Sequence, residues 1–244
     1  MITDYIEKRT ANVYGIYGHL GGGKTLTAVE ISLWALSLGW TVTSNVELFH
    51  VEHLKGKYNF IRDIADVDFW QLPCGAPRGS TDNFRSVIIL DECAEFFDQY
   101  SAGNAPIVKN FLSWLRHSSK RGQFVFLIVQ QPEFINKSLR LLVNKWIVCQ
   151  DMEQFYFPVL HFRIPFTRDL VWRRMFDKYG NLLSRGWNFA DKRIVGRHYN
   201  TAQSIALQGR GTDYVSRDDN VSYVLAPLLK IILLLELVKL FCFY

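Results

Sequence analysis

The segment Gly18-His-Leu-Gly-Gly-Gly-Lys24-Thr25 constrains this 244-residue chain more than any other. So many glycines are costly inside a helix or a strand, so the segment must be a loop whose backbone takes turns closed to other residues. A β-rich run, Val13 to Tyr17, leads into it, and Leu26, Val29, Ile31, Leu33 and Leu36 recur behind it at roughly helical spacing. Strand, glycine loop and helix in that order match G-x-x-x-x-G-K-[ST] in full. In such a loop the backbone N–H groups turn inward around phosphates, and the helix N-terminus adds partial positive charge. Gly18, His19, Leu20, Gly21, Gly22, Gly23, Lys24 and Thr25 are therefore the expected cradle of a nucleoside triphosphate. Lys24 is expected on the β- and γ-phosphates, and the Thr25 hydroxyl on a Mg²⁺ that bridges them.

Val87-Ile-Ile-Leu-Asp91-Glu92 supplies the complementary half. A continuous apolar run closed by two acids is the pattern of a strand buried on both faces of a parallel sheet, with its carboxylates delivered beside the phosphate loop. Asp91 is expected to hold the Mg²⁺ hydration shell, and Glu92 to orient and deprotonate the attacking water; its bland alternative is an exposed carboxylate. Gln130, ahead of Gln131 at the end of the run Phe124 to Val129, is the candidate sensor of the γ-phosphate; otherwise both are polar residues at a strand end. Arg140, with Arg116 and Arg121 beside it as candidates, is read as an arginine supplied across a ring of subunits, against the alternative of a surface or DNA-facing residue.

The remaining pattern predicts α/β architecture. Gly39 caps the first helix, Trp40 to Val46 reads as a second strand, and a helix over Ile107 to Lys120 precedes Phe124 to Val129. A helix-strand pair then covers Leu139 to Gln150, while Val51 to Phe84, dense in Gly and Pro near Leu72 to Ser80, reads as a surface insertion. The expected fold is a P-loop NTPase with a parallel sheet sandwiched by helices over 1–150, a small basic aromatic appendage over 151–222 and a hydrophobic tail over 223–244.

Charge is unevenly spread: residues 1 to 108 carry net −5, residues 109 to 210 net +11 and the remainder net −1. A bias of that size suits a polyanion such as DNA or an anionic membrane face, or else is a solvated basic surface. Arg163 to Arg210 places ten Lys/Arg against three acids, with Trp172, Phe176, Tyr179, Trp187, Phe189 and Tyr199 interleaved. Those residues suit single-stranded DNA, or pack the appendage onto the main domain. Cys74, Cys93, Cys149 and Cys242 lack the spacing of a zinc site or a disulfide framework, and His50 and His53 stand beside no cysteine. Met1 to Thr10 has no apolar core of a secretory signal, so the main domain is expected in the cytoplasm.

Val224 to Tyr244 would span about 30 Å as a helix, the thickness of a bilayer's hydrocarbon. Its 14 Leu, Ile, Val or Phe residues outweigh the insertion cost of Glu236, and Lys230 and Lys239 lie toward the two ends. A membrane anchor is the expectation; the alternative is a helix buried in an oligomer contact.

With the phosphate loop, the Thr43-Ser44-Asn45 turn, Val87 to Glu92, and Phe111-Leu-Ser-Trp-Leu-Arg-His117 leading to Phe124 to Gln131, residues 10 to 150 resemble the Zot-like ATPases. That group, named from zonular occludens toxin, includes the assembly ATPases of filamentous phages and is similar to the FtsK/HerA class of DNA-pumping motors. The resemblance implies ATP as nucleotide and viral DNA, a membrane, other virion or assembly proteins and a homo-oligomeric ring as partners. It implies a location at the host inner membrane or a virion's internal membrane. Many members continue past the membrane helix into a periplasmic domain, whereas this sequence stops at Tyr244; the related role is genome packaging on an internal lipid layer. A nucleotide-controlled assembly scaffold and a P-loop kinase are the competing readings.

Overall fold

The computed structural model describes residues 11–77, 80–98, 106–152, 156–157, 162–163, 169–183 and 188–199. The tail over 223–244 lies outside them, as do Trp187, Cys242 and Met1 to Thr10. Among the described residues no helix is long and apolar enough to cross a membrane.

Among the described residues eight strands form one sheet. In chain order the elements are β1 (Val13–Tyr17), α1 (Lys24–Ser37), β2 (Thr41–Ser44), β3 (Lys57–Phe60), β4 (Ser86–Leu90), α2 (Pro106–His117), β5 (Gln123–Val129), α3 (Lys137–Leu142) and β6 (Lys145–Asp151). There follow a two-stranded pair, β7 (Tyr156–Phe157) with β8 (Phe162–Arg163), then β9 (Leu170–Asp177), β10 (Phe189–Asp191) and the single turn α4 (Lys192–Val195). Across the sheet the order is β10-β9-β6-β1-β5-β4-β2-β3. From β6 to β3 every pairing is parallel, and helices make the crossovers from β1 to β2, β4 to β5 and β5 to β6.

Strand alternation sends successive side chains to opposite faces, and each face builds its own core. Tyr14, Ile16, Val87, Ile89, Phe126, Ile128 and Ile147 meet Leu26, Val29, Ile31 and Ala35 of α1 on one side. Val13, Ile88, Leu90, Val125, Leu127 and Val129 meet Phe111, Trp114 and Leu115 of α2 and Leu139 of α3 on the other. Phe97 stacks on Phe111 with ring centroids 4.2 Å apart, and Phe69 meets Phe111 edge-on at 4.7 Å. The sheet is thus clamped between helices with its strand ends held in register, the rigidity that a site at those ends requires.

Two expectations are corrected. Part of the expected insertion belongs to the sheet: Lys57–Phe60 forms β3, parallel to β2, and Phe69 is fully buried. As an edge strand, β3 keeps a half-exposed pattern that gives no apolar run to read. The sheet also continues past residue 150. β9 pairs antiparallel with β6 along seven residue pairs and β10 pairs with β9, so β9 and β10 extend the sheet beyond the expected boundary at 150. The basic residues of β9 hid its period-two burial, in which Val171, Arg173 and Met175 point inward.

Candidate functional site: a phosphate loop against a strand-end carboxylate

β1 delivers the chain to Gly18 and α1 takes it up at Lys24, so the loop lies over the C-terminal ends of β1 and β6. Close contact explains Gly18 and Gly23. A Cβ at Gly18 would come within 2.3 Å of the Cys149 carbonyl oxygen, and one at Gly23 within 2.4 Å of Val171 Cγ2. Gly21 and Gly23 also hold φ at 72° and 84°, in the left-handed region where glycine is unstrained. The Gly22 N–H donates to the His19 carbonyl at 2.9 Å, closing the turn, while His19, Leu20 and Gly21 stand exposed at its tip. Lys24 Nζ donates to the carbonyls of Gly18 and His19, both at 3.0 Å, which folds its ammonium back over the loop. Burial pulls the Lys24 ammonium below its ordinary value, and the charges of Asp91, Cys149 and Glu92 oppose that shift.

Facing the loop, Thr25 Oγ1 donates to Asp91 Oδ2 at 2.7 Å. Burial pushes the Asp91 carboxyl above the usual carboxylate range, opposed by bonds from the Thr25 hydroxyl and the Glu92 N–H and by the Lys24 charge. Glu92 follows at φ 54°, a left-handed conformation, with its N–H on Asp91 Oδ1 at 2.8 Å. Its carboxyl is raised by burial, then by the Asp91 charge and by Glu95, with Lys24 opposing. A hydroxyl and a carboxylate meeting beside a lysine are hard oxygen donors suited to Mg²⁺ completed by phosphate and water. Among the described residues no group of three or more His, Cys, Asp or Glu that could hold a metal ion is found. Thr25 and Asp91 are the residues that would hold Mg²⁺.

The other expected residues divide. Gln130 is exposed just past β5, whose last residue, Val129, lies beside Tyr17 of β1, so it stands at the loop's end of the sheet. Arg140 is half-buried on α3 and Arg116 exposed on α2. Arg121 is engaged within its own chain: its guanidinium donates to the carbonyls of Trp70 at 2.7 Å and Leu72 at 3.1 Å.

Three features escaped sequence reading. Asn45 bonds both backbone groups of Asp91. Thr27 Oγ1 lies 3.3 Å from Cys149 Sγ beneath the loop. Finally, the segment after α4 returns to the site side: Phe49 and His198 exchange bonds, from Phe49 N–H to the His198 carbonyl at 2.8 Å and between His198 Nδ1 and the Phe49 carbonyl at 3.1 Å. The neighbouring Tyr199 hydroxyl is pushed up to about 12 by burial, with the Asp91 charge adding to it. Such contacts, made by single polar residues far apart in the chain, carry no short-range signal.

A parallel sheet between helices, a glycine loop capped by lysine and a strand-end aspartate on the loop's threonine together define a P-loop NTPase. Residues 12–163 match the family described as Zonular occludens toxin (Zot). The chain belongs to this family of P-loop ATPases. It is similar to the Gene 1 proteins of Enterobacteria phage I2-2, at 27% identity over 61% of this chain and 42% of that protein, and of Enterobacteria phage M13, at 25% over 60% and 44%. The chain therefore spans less than half the length of these curated relatives. Among solved structures it is similar to the N-terminal domain of zonular occludens toxin from Neisseria meningitidis, at TM-score 0.47 and 17% identity, over 78% of this chain and 99% of that one.

Proposed function

We propose that this chain is a Mg²⁺-dependent, ring-forming ATPase that moves viral DNA at a membrane during virion assembly. The contact of Thr25 with Asp91 carries the reading, because it joins the phosphate loop to the strand-end acids. In that reading Lys24 and the loop N–H groups hold the phosphates, Thr25 and Asp91 hold Mg²⁺, and Glu92 takes a proton from the attacking water. Bound Mg²⁺ supplies charge neutralisation as the terminal phosphoryl leaves. Gln130 is the candidate sensor of that event, and Arg140 the candidate donated across a subunit boundary. Family membership and the phage relatives support the assembly role, and the hydrophobic run 224–244 supports the membrane.

One observation favours a second reading, a nucleotide-controlled assembly scaffold. Part of the basic stretch is spent on internal pairs: Arg173 with Glu30, Lys192 with Asp151, and Arg193 with Asp169 and Asp191. Phosphate release by the full chain in detergent, at fixed salt and with single-stranded, double-stranded or no DNA, separates the two, with Lys24→Ala as blank. DNA-stimulated turnover supports the motor, and turnover indifferent to DNA supports the scaffold.

A further inference from the structure

The ladder between β2 and β4 ends short of the site: its last pair joins Ser44 to Ile89, two residues before Asp91, so on the β2 side no strand pairing reaches Asp91. The Asn45 side chain takes the strand's place. Asp91 N–H donates to Asn45 Oδ1 at 2.7 Å, and Asn45 Nδ2 donates to the Asp91 carbonyl at 3.0 Å. A carboxamide presents a donor and an acceptor side by side as a peptide group does, so one side chain satisfies both backbone groups of the residue that carries the acid.

Immediately afterwards Glu92 adopts φ 54°, a strained conformation for a residue with a side chain, which persists only where its surroundings hold it. The residues flanking Asn45 are held in turn: Val46 N–H donates to Ser44 Oγ at 3.0 Å, and Ile61 N–H to the Ser44 carbonyl at 2.8 Å. We propose that Asn45 is a positioning residue, which fixes the Asp91–Glu92 turn so that Asp91 meets Thr25 and Glu92 points toward the water to be activated. The proposal rests on the reading that Asp91 holds Mg²⁺. Asn45 acts through Asp91.

The test is binding of a fluorescent N-methylanthraniloyl ATP to the full chain in detergent, with Mg²⁺ titrated in or removed by EDTA, alongside phosphate release. Asn45→Ala is expected to bind the analogue in EDTA within about two-fold of wild type, while its half-saturating Mg²⁺ rises about 10- to 100-fold, the usual cost of losing a group that orients a metal ligand. Unchanged half-saturating Mg²⁺ overturns the proposal. Should Asn45→Ala fail to fold, Asn45→Asp serves: it keeps the acceptor for the Asp91 N–H and loses the donor to the Asp91 carbonyl, so a smaller rise is expected and none overturns the proposal. A wild type whose binding Mg²⁺ tightens but which releases no phosphate sinks the hydrolysis reading alone. A wild type indifferent to Mg²⁺ sinks the metal role of Asp91 and this proposal with it.

Discussion

Thr25 and Asp91 stand 66 residues apart in the chain and meet at 2.7 Å, Oγ1 donating to Oδ2. The loop fixes one, β4 fixes the other, and sheet order brings the two together without either moving. Thr25→Ala is expected to keep the fold and lose Mg²⁺-dependent tightening of nucleotide binding. Isothermal titration with ATP, with and without Mg²⁺, checks it, and an unchanged Mg²⁺ response removes Thr25 from the metal site.

Gly18 lies too close to the Cys149 carbonyl for any side chain. Gly18→Ala forces the loop off β6 and is expected to destabilise the fold by about 1–3 kcal/mol, the usual cost of overpacking, and to abolish nucleotide binding. Urea unfolding with a binding assay reads both effects. Gly21→Ala is the control: nothing lies within 4 Å of its Cβ, so it meets only the backbone strain of φ 72°.

Much of this was legible beforehand. The phosphate loop and the acids after β4 each lie within one short window whose chemistry and period agree, so Lys24, Thr25, Asp91 and Glu92 could be singled out from residues alone. β3 and β9 could not, because an edge strand and a strand rich in arginine lack the apolar run that marks β4 and β5. Asn45 could not for a different reason: asparagine after a strand reads as a turn, and only the sheet order shows that its carboxamide faces Asp91.

Arg173 shows how β9 is tied to α1. Although basic, it is 1% exposed and pairs with Glu30, and its guanidinium also donates to Asn188 Oδ1 at 2.9 Å and the Phe189 carbonyl at 3.0 Å. Arg173→Ala is expected to cost about 1–3 kcal/mol, since Asn188 Oδ1 and the Phe189 carbonyl lose their donor while the Glu30 carboxylate left behind is 26% exposed. Chemical denaturation measures it, and a cost below about 1 kcal/mol would place β9 outside the cooperative fold.

Burial pushes the Cys149 thiol up to about 11, against an ordinary value of 9.0, with the Thr27 hydroxyl opposing. The folded state therefore keeps its proton where the unfolded chain has lost it. The stability this contributes is complete below about pH 9 and is lost as pH rises through about 11. Cys149→Ala should flatten part of the alkaline fall in unfolding free energy. In the folded protein at neutral pH a maleimide should label exposed Cys74 and spare Cys149.

Glu92→Gln, measured for phosphate release and ATP binding together, probes hydrolysis by the Asp91–Glu92 pair against the phosphate loop. Glutamine keeps the size of the side chain and removes its capacity to take a proton. Phosphate release is expected to fall by on the order of 10²- to 10⁴-fold with ATP binding within about two-fold of wild type. Release at the wild-type rate would contradict the assignment and place the catalytic base elsewhere.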